Sequence, residues 1–316
     1  MQRKLCGLLL AVVLLLGLAA CVSESEEPRF LGEATTIVVD NLTVALRSDG
    51  TVVRTHRDPH SRFDVSGWHD IVAVSTRGWS IVGLRADGTV VEMGFEHTVD
   101  DWRDIVAVSA GGRHVVGLRA DGTVVSTPVI SAEDFDLDAG QSDVGDWYDI
   151  VAVSAGPFHT LGLRVDGTVI STSIRGFDNG QGNVSDWRDI VAVSAGSTHS
   201  VGLRADGTVV TTEIIYLWHN HGQERANNWY DIIAVSAGDT HTIGLRSDGT
   251  VVATPMLEEH HFRHSRTIEG WYDIVAVSAG MIHSVGLRSD GSVVSSWRWD
   301  DNENFDVSGW HDIKIP

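Results

Sequence analysis

The sequence predicts an all-β protein folded as a seven-bladed β-propeller, and three observations carry that expectation. The string DG[TS]V occurs seven times, starting at Asp49, Asp87, Asp121, Asp166, Asp206, Asp248 and Asp290. The string WxDI also occurs seven times, at Trp68, Trp102, Trp147, Trp187, Trp229, Trp271 and Trp310, with spacings of 34 to 45 residues. No stretch keeps apolar residues at a sustained 3.6-residue period, so almost no helix is expected. Seven β-rich units fit propeller blades, because radial closure leaves no long exposed sheet edge. An open solenoid would need polar caps, and none is visible.

The N-terminus reads as an address. Arg3 and Lys4 precede an apolar run from Leu5 to Ala20 that is too short for a comfortable membrane span. The run ends in Leu18-Ala19-Ala20-Cys21, which resembles the bacterial lipobox, where the Cys is acylated and becomes the first residue of the mature chain. Residues 1–20 are therefore expected to be a lipoprotein signal peptide. Residues 21–33 are expected to be an acidic tether lipidated at Cys21, and residues 34–316 the propeller. The expected location is extracytoplasmic, on the cell membrane or the outer membrane. Cleavage before Cys21 also removes Cys6, which leaves no free thiol and agrees with export.

Each propeller unit reads IVAVSAGxxHTVGLRxDGTVV, then a variable stretch, then WxD. IVAV and HTVGLR are β-branched-rich runs ended by Gly or charge, and the xDG between LR and TVV supplies the positive φ of a tight hairpin. A unit is thus three or four antiparallel strands. The first unit lacks the IVAVSAG segment, whereas the last WxD is followed by Ile313-Lys314-Ile315-Pro316, the start of an eighth copy. The C-terminal strand is expected to join blade one and close the ring.

These motifs resemble the regulator of chromosome condensation (RCC1-like) repeat family, whose fold is a seven-bladed propeller. The match is carried by Ser109-Ala110-Gly111 with His114, Ser154-Ala155-Gly156 with His159, Ser194-Ala195-Gly196 with His199, Ser236-Ala237-Gly238 with His241 and Ser278-Ala279-Gly280 with His283. Blades one and two carry Leu42 and Ser80 at the His position. The family's Asn-x-x-Gly-Gln segment survives in part as Gly140-Gln141, Gly180-Gln181 and Gly222-Gln223, and its Trp-Gly after the DGxV strand is replaced by Ser or Thr. The resemblance implies the fold, and function must be argued separately.

Composition excludes several classes. The chain has 43 Asp+Glu against 23 Lys+Arg, a net charge of −20, and its only Lys residues are Lys4 and Lys314. Loss of Arg3 and Lys4 with the signal leaves 21 basic residues against 43 acidic ones, or −22. Phosphate binding needs clustered Lys and Arg, so no nucleic-acid partner is expected. Export sets aside the family's nucleotide-exchange activity on a nuclear GTPase and, with the charge, chromatin binding.

Residues repeated blade after blade point to structure. His114, His159, His199, His241 and His283 occupy equivalent radial positions, which suits hydrogen bonds within or between blades better than convergence on one metal ion. Arg47, Arg85, Arg119, Arg164, Arg204, Arg246 and Arg288 equal in number the WxD aspartates Asp70, Asp104, Asp149, Asp189, Asp231, Asp273 and Asp312, which suggests one Arg–carboxylate pair per blade. The seven repeat Trp read as blade packing. The run Glu258 to His264 matches no zinc spacing. The segment Asp134 to Gly140 lacks the glycine and glutamate of a calcium loop. No catalytic triad, phosphate cradle or dinucleotide motif is present, so no cofactor, metal or enzymatic activity is expected.

The non-repeated loops are the functional lead. They carry Phe135, Ile214, Ile215, Tyr216, Leu217, Trp218, Phe262, Trp297 and Trp299. Tyr216, Trp218, Phe262, Trp297 and Trp299 are the candidate partner-binding residues, because buried aromatics dominate interface energy. The reading is a monomeric, lipid-anchored, non-enzymatic binding module for a protein or envelope component. One alternative resembles the secreted β-lactamase-inhibitory propeller, an inhibitor of an extracellular hydrolase. The other is an envelope-polysaccharide enzyme using Asp300, Asp301 and Glu303.

Overall fold

The computed structural model describes residues 36–40, 42–55, 63–78, 80–94, 98–129, 138–172, 174–255, 268–281, 283–296 and 306–316. Residues 1–33 with Cys21, Phe135, the Glu258–His264 run with Phe262, and Trp297, Trp299, Asp300, Asp301 and Glu303 lie outside the described residues. Among the described residues no helix is long and apolar enough to cross a membrane.

Seven antiparallel three-stranded sheets follow one another along the chain, each ordered inner, middle, outer. Blade one is Ile37–Val39, Thr43–Leu46 and Val52–Arg54, and blade two is Ile71–Arg77, Ser80–Arg85 and Val90–Met93. Blade three is Ile105–Ala110, Val115–Arg119 and Val124–Ser126, and blade four is Ile150–Ala155, Thr160–Arg164 and Val169–Ser171. Blade five is Ile190–Ala195, Ser200–Arg204 and Val209–Thr211, and blade six is Ile232–Ala237, Thr242–Arg246 and Val251–Ala253. Blade seven is Ile274–Ala279, Ser284–Arg288 and Val293–Ser295. Two short 3-10 segments, Leu217–His219 and Arg225–Asn228, are the helical content of the described residues.

The core lies between blades. Leu161, Leu163 and Val169 of blade four pack with Val184, Trp187, Ile190 and Val193 leading into and forming blade five, and comparable clusters fill the other seams. Middle strands are covered on both faces, which is why HTVGLR is apolar almost throughout. The repeat Trp packs across its own blade, as expected. A Cβ on Gly162 would sit 2.7 Å from the Trp147 ring, so the middle-strand glycine is required by the indole. Blade one has Ala45 at that place, and its less buried Trp310 packs in the same cluster.

The equal numbers of Arg and WxD Asp do not reflect an ion pair. Among the described residues none of the seven WxD aspartates forms a salt bridge with a repeat arginine. Each is exposed and holds left-handed φ of 56° to 60°, a region that Asp tolerates better than most residues. What the position uses is backbone: the Asp149 carbonyl accepts Val165 N–H at 2.9 Å, and Ile150 N–H reaches back to Gly122 of the preceding blade at 3.1 Å. Three of the arginines instead lie over exposed tyrosines, Arg164 on Tyr148 at 5.6 Å, Arg246 on Tyr230 at 5.9 Å and Arg288 on Tyr272 at 4.9 Å. The carboxylates near the arginines are those of the DG turns. Asp166 accepts both the backbone N–H and hydroxyl of Thr168, which, more than Arg164, holds its carboxyl below the usual range.

The ring closes as expected. Ile313 bridges Arg47 in the register that Ile150 takes with Arg164 in blade four, and Lys314 N–H donates to Leu46 at 2.8 Å. The inner strand of blade one is thus spliced from both ends of the propeller. Ile313 supplies its start and is 1% exposed, while Thr36 to Val39 supply the rest.

Candidate functional site

The ends of the inner strands mark one face of the propeller, and the histidines lie buried beneath it. His159 Nε2 meets Ser200 Oγ of the next blade at 2.8 Å. His114 meets Thr160 at 3.0 Å, His199 meets Thr242 at 2.8 Å and His241 meets Ser284 at 2.7 Å. In three of these pairs the hydroxyl donates onward to a buried glutamine's backbone carbonyl: Thr160 to Gln141, Ser200 to Gln181 and Thr242 to Gln223. A hydroxyl that spends its proton there must accept from the imidazole, so Nε2 carries the hydrogen and Nδ1 is bare. The ring lies against its own blade's SAG glycine, where a Cβ on Gly156 would come 2.8 Å from His159 Cε1. Burial, with smaller contributions from Arg77 and neighbouring histidines, pushes His159 and His199 down to about 3. In these pairs Nε2 is committed to a hydrogen bond with the next blade, and the described residues hold no group of three or more His, Cys, Asp or Glu able to bind a metal.

The hydroxyl appears only where the preceding blade offers a histidine. Register places Thr160, Ser200, Thr242, Ser284 and Thr43 at one position, following the His of blades three to seven around the ring. Blade one has Leu42 and blade two Ser80 instead, and the next blades there carry Ile81 and Val115. Leu42 and Ile81 pack in one cluster. His159→Leu should therefore cost about 1 to 3 kcal/mol, because it takes from the buried Ser200 hydroxyl the donor it accepts from. His159→Leu with Ser200→Val should recover most of that loss, as measured by denaturant midpoints in a double-mutant cycle. Additive losses would contradict the pairing.

The variable loops leave on the same face. In three of them a [D/N]-x-G-Q turn repeats: Asp178 Oδ1 accepts Gly180 N–H at 2.8 Å, and Gln181 Oε1 accepts Asn179 N–H at 2.6 Å. The equivalents are Asp138 with Gln141 and Asn220 with Gln223. Asp138 Oδ1 is thus an acceptor within one of these turns. The segment that replaces the family's Trp-Gly is equally structural. Buried Thr55, Thr127, Thr172, Thr212, Thr254 and Ser296 each accept the N–H that opens or precedes their middle strand's hydrogen-bonded run, as in Thr160 N–H to Thr172 Oγ1 at 3.0 Å.

One loop stands apart. Residues 213–219 seat on the preceding blade's loop through Ile215 N–H to the Asn179 carbonyl at 2.9 Å and His219 Nδ1 to Asn179 Oδ1 at 2.6 Å. That anchoring presents Ile215, Tyr216 and Trp218 to solvent at 56%, 42% and 68% exposure. The Tyr216 and Trp218 rings stack at 5.0 Å and 18°, and His219 meets the indole edge-on at 6.1 Å. Of the five candidate partner-binding residues, Tyr216 and Trp218 are therefore brought together; Phe262, Trp297 and Trp299 lie outside the described residues. Ile215 belongs to the same patch.

Comparison with known proteins agrees with this architecture. The family model "Regulator of chromosome condensation (RCC1) repeat" matches residues 232–254, the three strands of blade six. No curated protein sequence matches the chain. Among solved structures, the CRINKLY WD40 ectodomain of the Arabidopsis thaliana receptor kinase ACR4 superposes with a TM-score of 0.61 at 15% identity, covering 89% of this chain and 98% of that one. The ectodomain of the Physcomitrella patens receptor kinase CR4 gives 0.59 at 16% identity, covering 82% and 70%. Prp20p from Saccharomyces cerevisiae, described with its binding to Gsp1p and histones, gives 0.60 at 13% identity, covering 89% and 86%. Seven repeated three-stranded blades, the matched repeat and these neighbours together make the chain an RCC1-like β-propeller.

Proposed function

We propose that the protein is a non-enzymatic binding module, held at the cell envelope by lipid on Cys21, that engages a protein or envelope partner through the Ile215, Tyr216 and Trp218 loop. The observation that carries this reading is the contrast between repeated and non-repeated residues. The repeated His, Ser, Thr, Gln and Trp are consumed in holding blades together, whereas this loop is pinned at its base and leaves a stacked aromatic pair in water. Ordering aromatics before binding lowers the entropy lost on association. Large aromatic side chains are also the commonest interface hot spots. Neighbouring propellers support a binding role, since Prp20p binds Gsp1p and histones.

The test is cross-linked capture from the source cell's envelope by the lipidated protein, compared with its Trp218→Ala variant. The variant is expected to lose at least about tenfold in capture, as for removal of an interface anchor, with an unchanged melting temperature. Equal capture by both would overturn the assignment to this loop.

A further inference from the structure

The seams of the ring are not tied alike. At six of them a serine on one inner strand accepts a backbone N–H from the next: Ser75 from Ala110, Ser109 from Ala155, Ser154 from Ala195, Ser194 from Ala237, Ser236 from Ala279 and Ser278 from Val39, all at 2.9 to 3.1 Å. The seam between blades one and two lacks this tie, because Val38 stands at the serine position. It also lacks the histidine relay, because Leu42 faces Ile81 there. This is the seam beside blade one, whose inner strand is itself spliced from the two ends of the chain.

Blade two carries an unusual residue at this point. Arg77 occupies the place that Gly111, Gly156, Gly196, Gly238 and Gly280 fill in blades three to seven. Its side chain crosses the axis of the ring. Nη1 donates to the Ala195 carbonyl at 3.2 Å, and Nη2 donates to Ser197 Oγ at 3.1 Å and Asp239 Oδ1 at 2.9 Å. Ser197 Oγ in turn donates to the same Asp239 oxygen. The arginine side chain is 12% exposed and that of Asp239 27%. Alongside, Gly78 N–H donates to the Asp40 carboxylate, joining blade two to blade one. Arg77 also lines the axial cavity of about 90 Å³ formed by the inner strands.

We propose that Arg77 is a trans-axial latch that holds the seam between blades one and two shut by fastening blade two to blades five and six. An arginine suits this task, since its guanidinium can satisfy a carbonyl, a hydroxyl and a carboxylate at once from the end of a long stem. Glycine at the equivalent places leaves the space the side chain crosses. The latch substitutes for two ties that every seam from blade three onward to blade one possesses at least in part.

The test is hydrogen–deuterium exchange of the full chain carrying Arg77→Met, which keeps the apolar stem and removes the charge. Amides of 36–46 and 71–85 should exchange at least about tenfold faster through local opening of that seam. Val38→Ser, which restores the missing serine tie, should return most of the lost protection in the Arg77→Met background. Asp239→Asn, which leaves Arg77 in place, should reproduce the same pattern in weaker form and serves if Arg77→Met does not fold. Faster exchange confined to 195–199 and 237–241, or no rescue by Val38→Ser, would show that Arg77 only staples the loops it touches and would overturn the proposal.

Discussion

Removing Ile313 to Pro316 is expected to lower the melting temperature by roughly 10 °C, for a loss on the order of 5 kcal/mol. Deletion removes a side chain that is 1% exposed in the cluster joining blades seven and one, worth about 2 to 3 kcal/mol of apolar burial. It also removes the Lys314 donor to Leu46 and the bridge at Arg47, leaving middle-strand backbone groups without partners at about 1 to 3 kcal/mol when buried. Because the same residues splice blade one, the loss should spread to the whole ring rather than fray one end. Scanning calorimetry checks this: a lowered single transition is the expected trace. An unchanged melting temperature would contradict closure by the C-terminal strand.

Acid should weaken the fold well above the range in which carboxylates titrate. His159 and His199 stay neutral in the folded protein down to about pH 3, whereas in the unfolded chain they take up protons near 6.5. Between those values the unfolded state binds more protons, so stability is complete above about pH 6.5 and falls as pH drops toward 3. Lowering the pH from 7 to 5 should cost roughly 4 kcal/mol for the two residues together, at about 1.4 kcal/mol per unit each. The physical cause is visible at Nδ1, which is buried without a hydrogen-bond partner in both rings, so a proton there has nothing to donate to. The DG-turn aspartates, held below their ordinary range by hydrogen bonds from Thr or Ser, act in a separate window below about pH 4. Replacing both histidines by Gln, which can still donate to the hydroxyl, should flatten the denaturant midpoint between pH 7 and 5. A slope as steep as that of the parent protein would assign the effect elsewhere.

The fold was legible because each blade restates it. Seven DG turns, seven WxDI strings and an eighth-copy stub at Ile313 were enough to predict blade number and closure. The repetition of the histidines points in the sequence to hydrogen bonding within or between blades, but it does not name their partners. Thr160, Ser200, Thr242 and Ser284 lie 41 to 46 residues away in the next repeat. Seeing the pairing requires knowing that each histidine faces the following blade. The alternation of His with hydroxyl and of Leu42 with Ile81 was nonetheless present in the sequence. The Arg–Asp expectation failed for an instructive reason: any two residues of a repeat are equal in number, so matching counts carry no information about contact. Arg77 carries its own signal in the sequence, a basic residue in the column where blades three to seven keep glycine. Stacking of Tyr216 on Trp218 had none, since it depends on how Asn179 of the neighbouring loop holds Ile215 and His219.

The division between a repeated ring that builds the domain and one loop that binds is the central claim. It is tested most directly by placing a photo-cross-linking amino acid at position 216 and, separately, at position 148. Both tyrosines are exposed, Tyr216 at 42% and Tyr148 at 61%, but only the first lies in a non-repeated loop. Irradiation in the native envelope should yield a discrete cross-linked species from position 216 and none from 148. Equal yields at the two positions, or a product from 148 alone, would contradict the account.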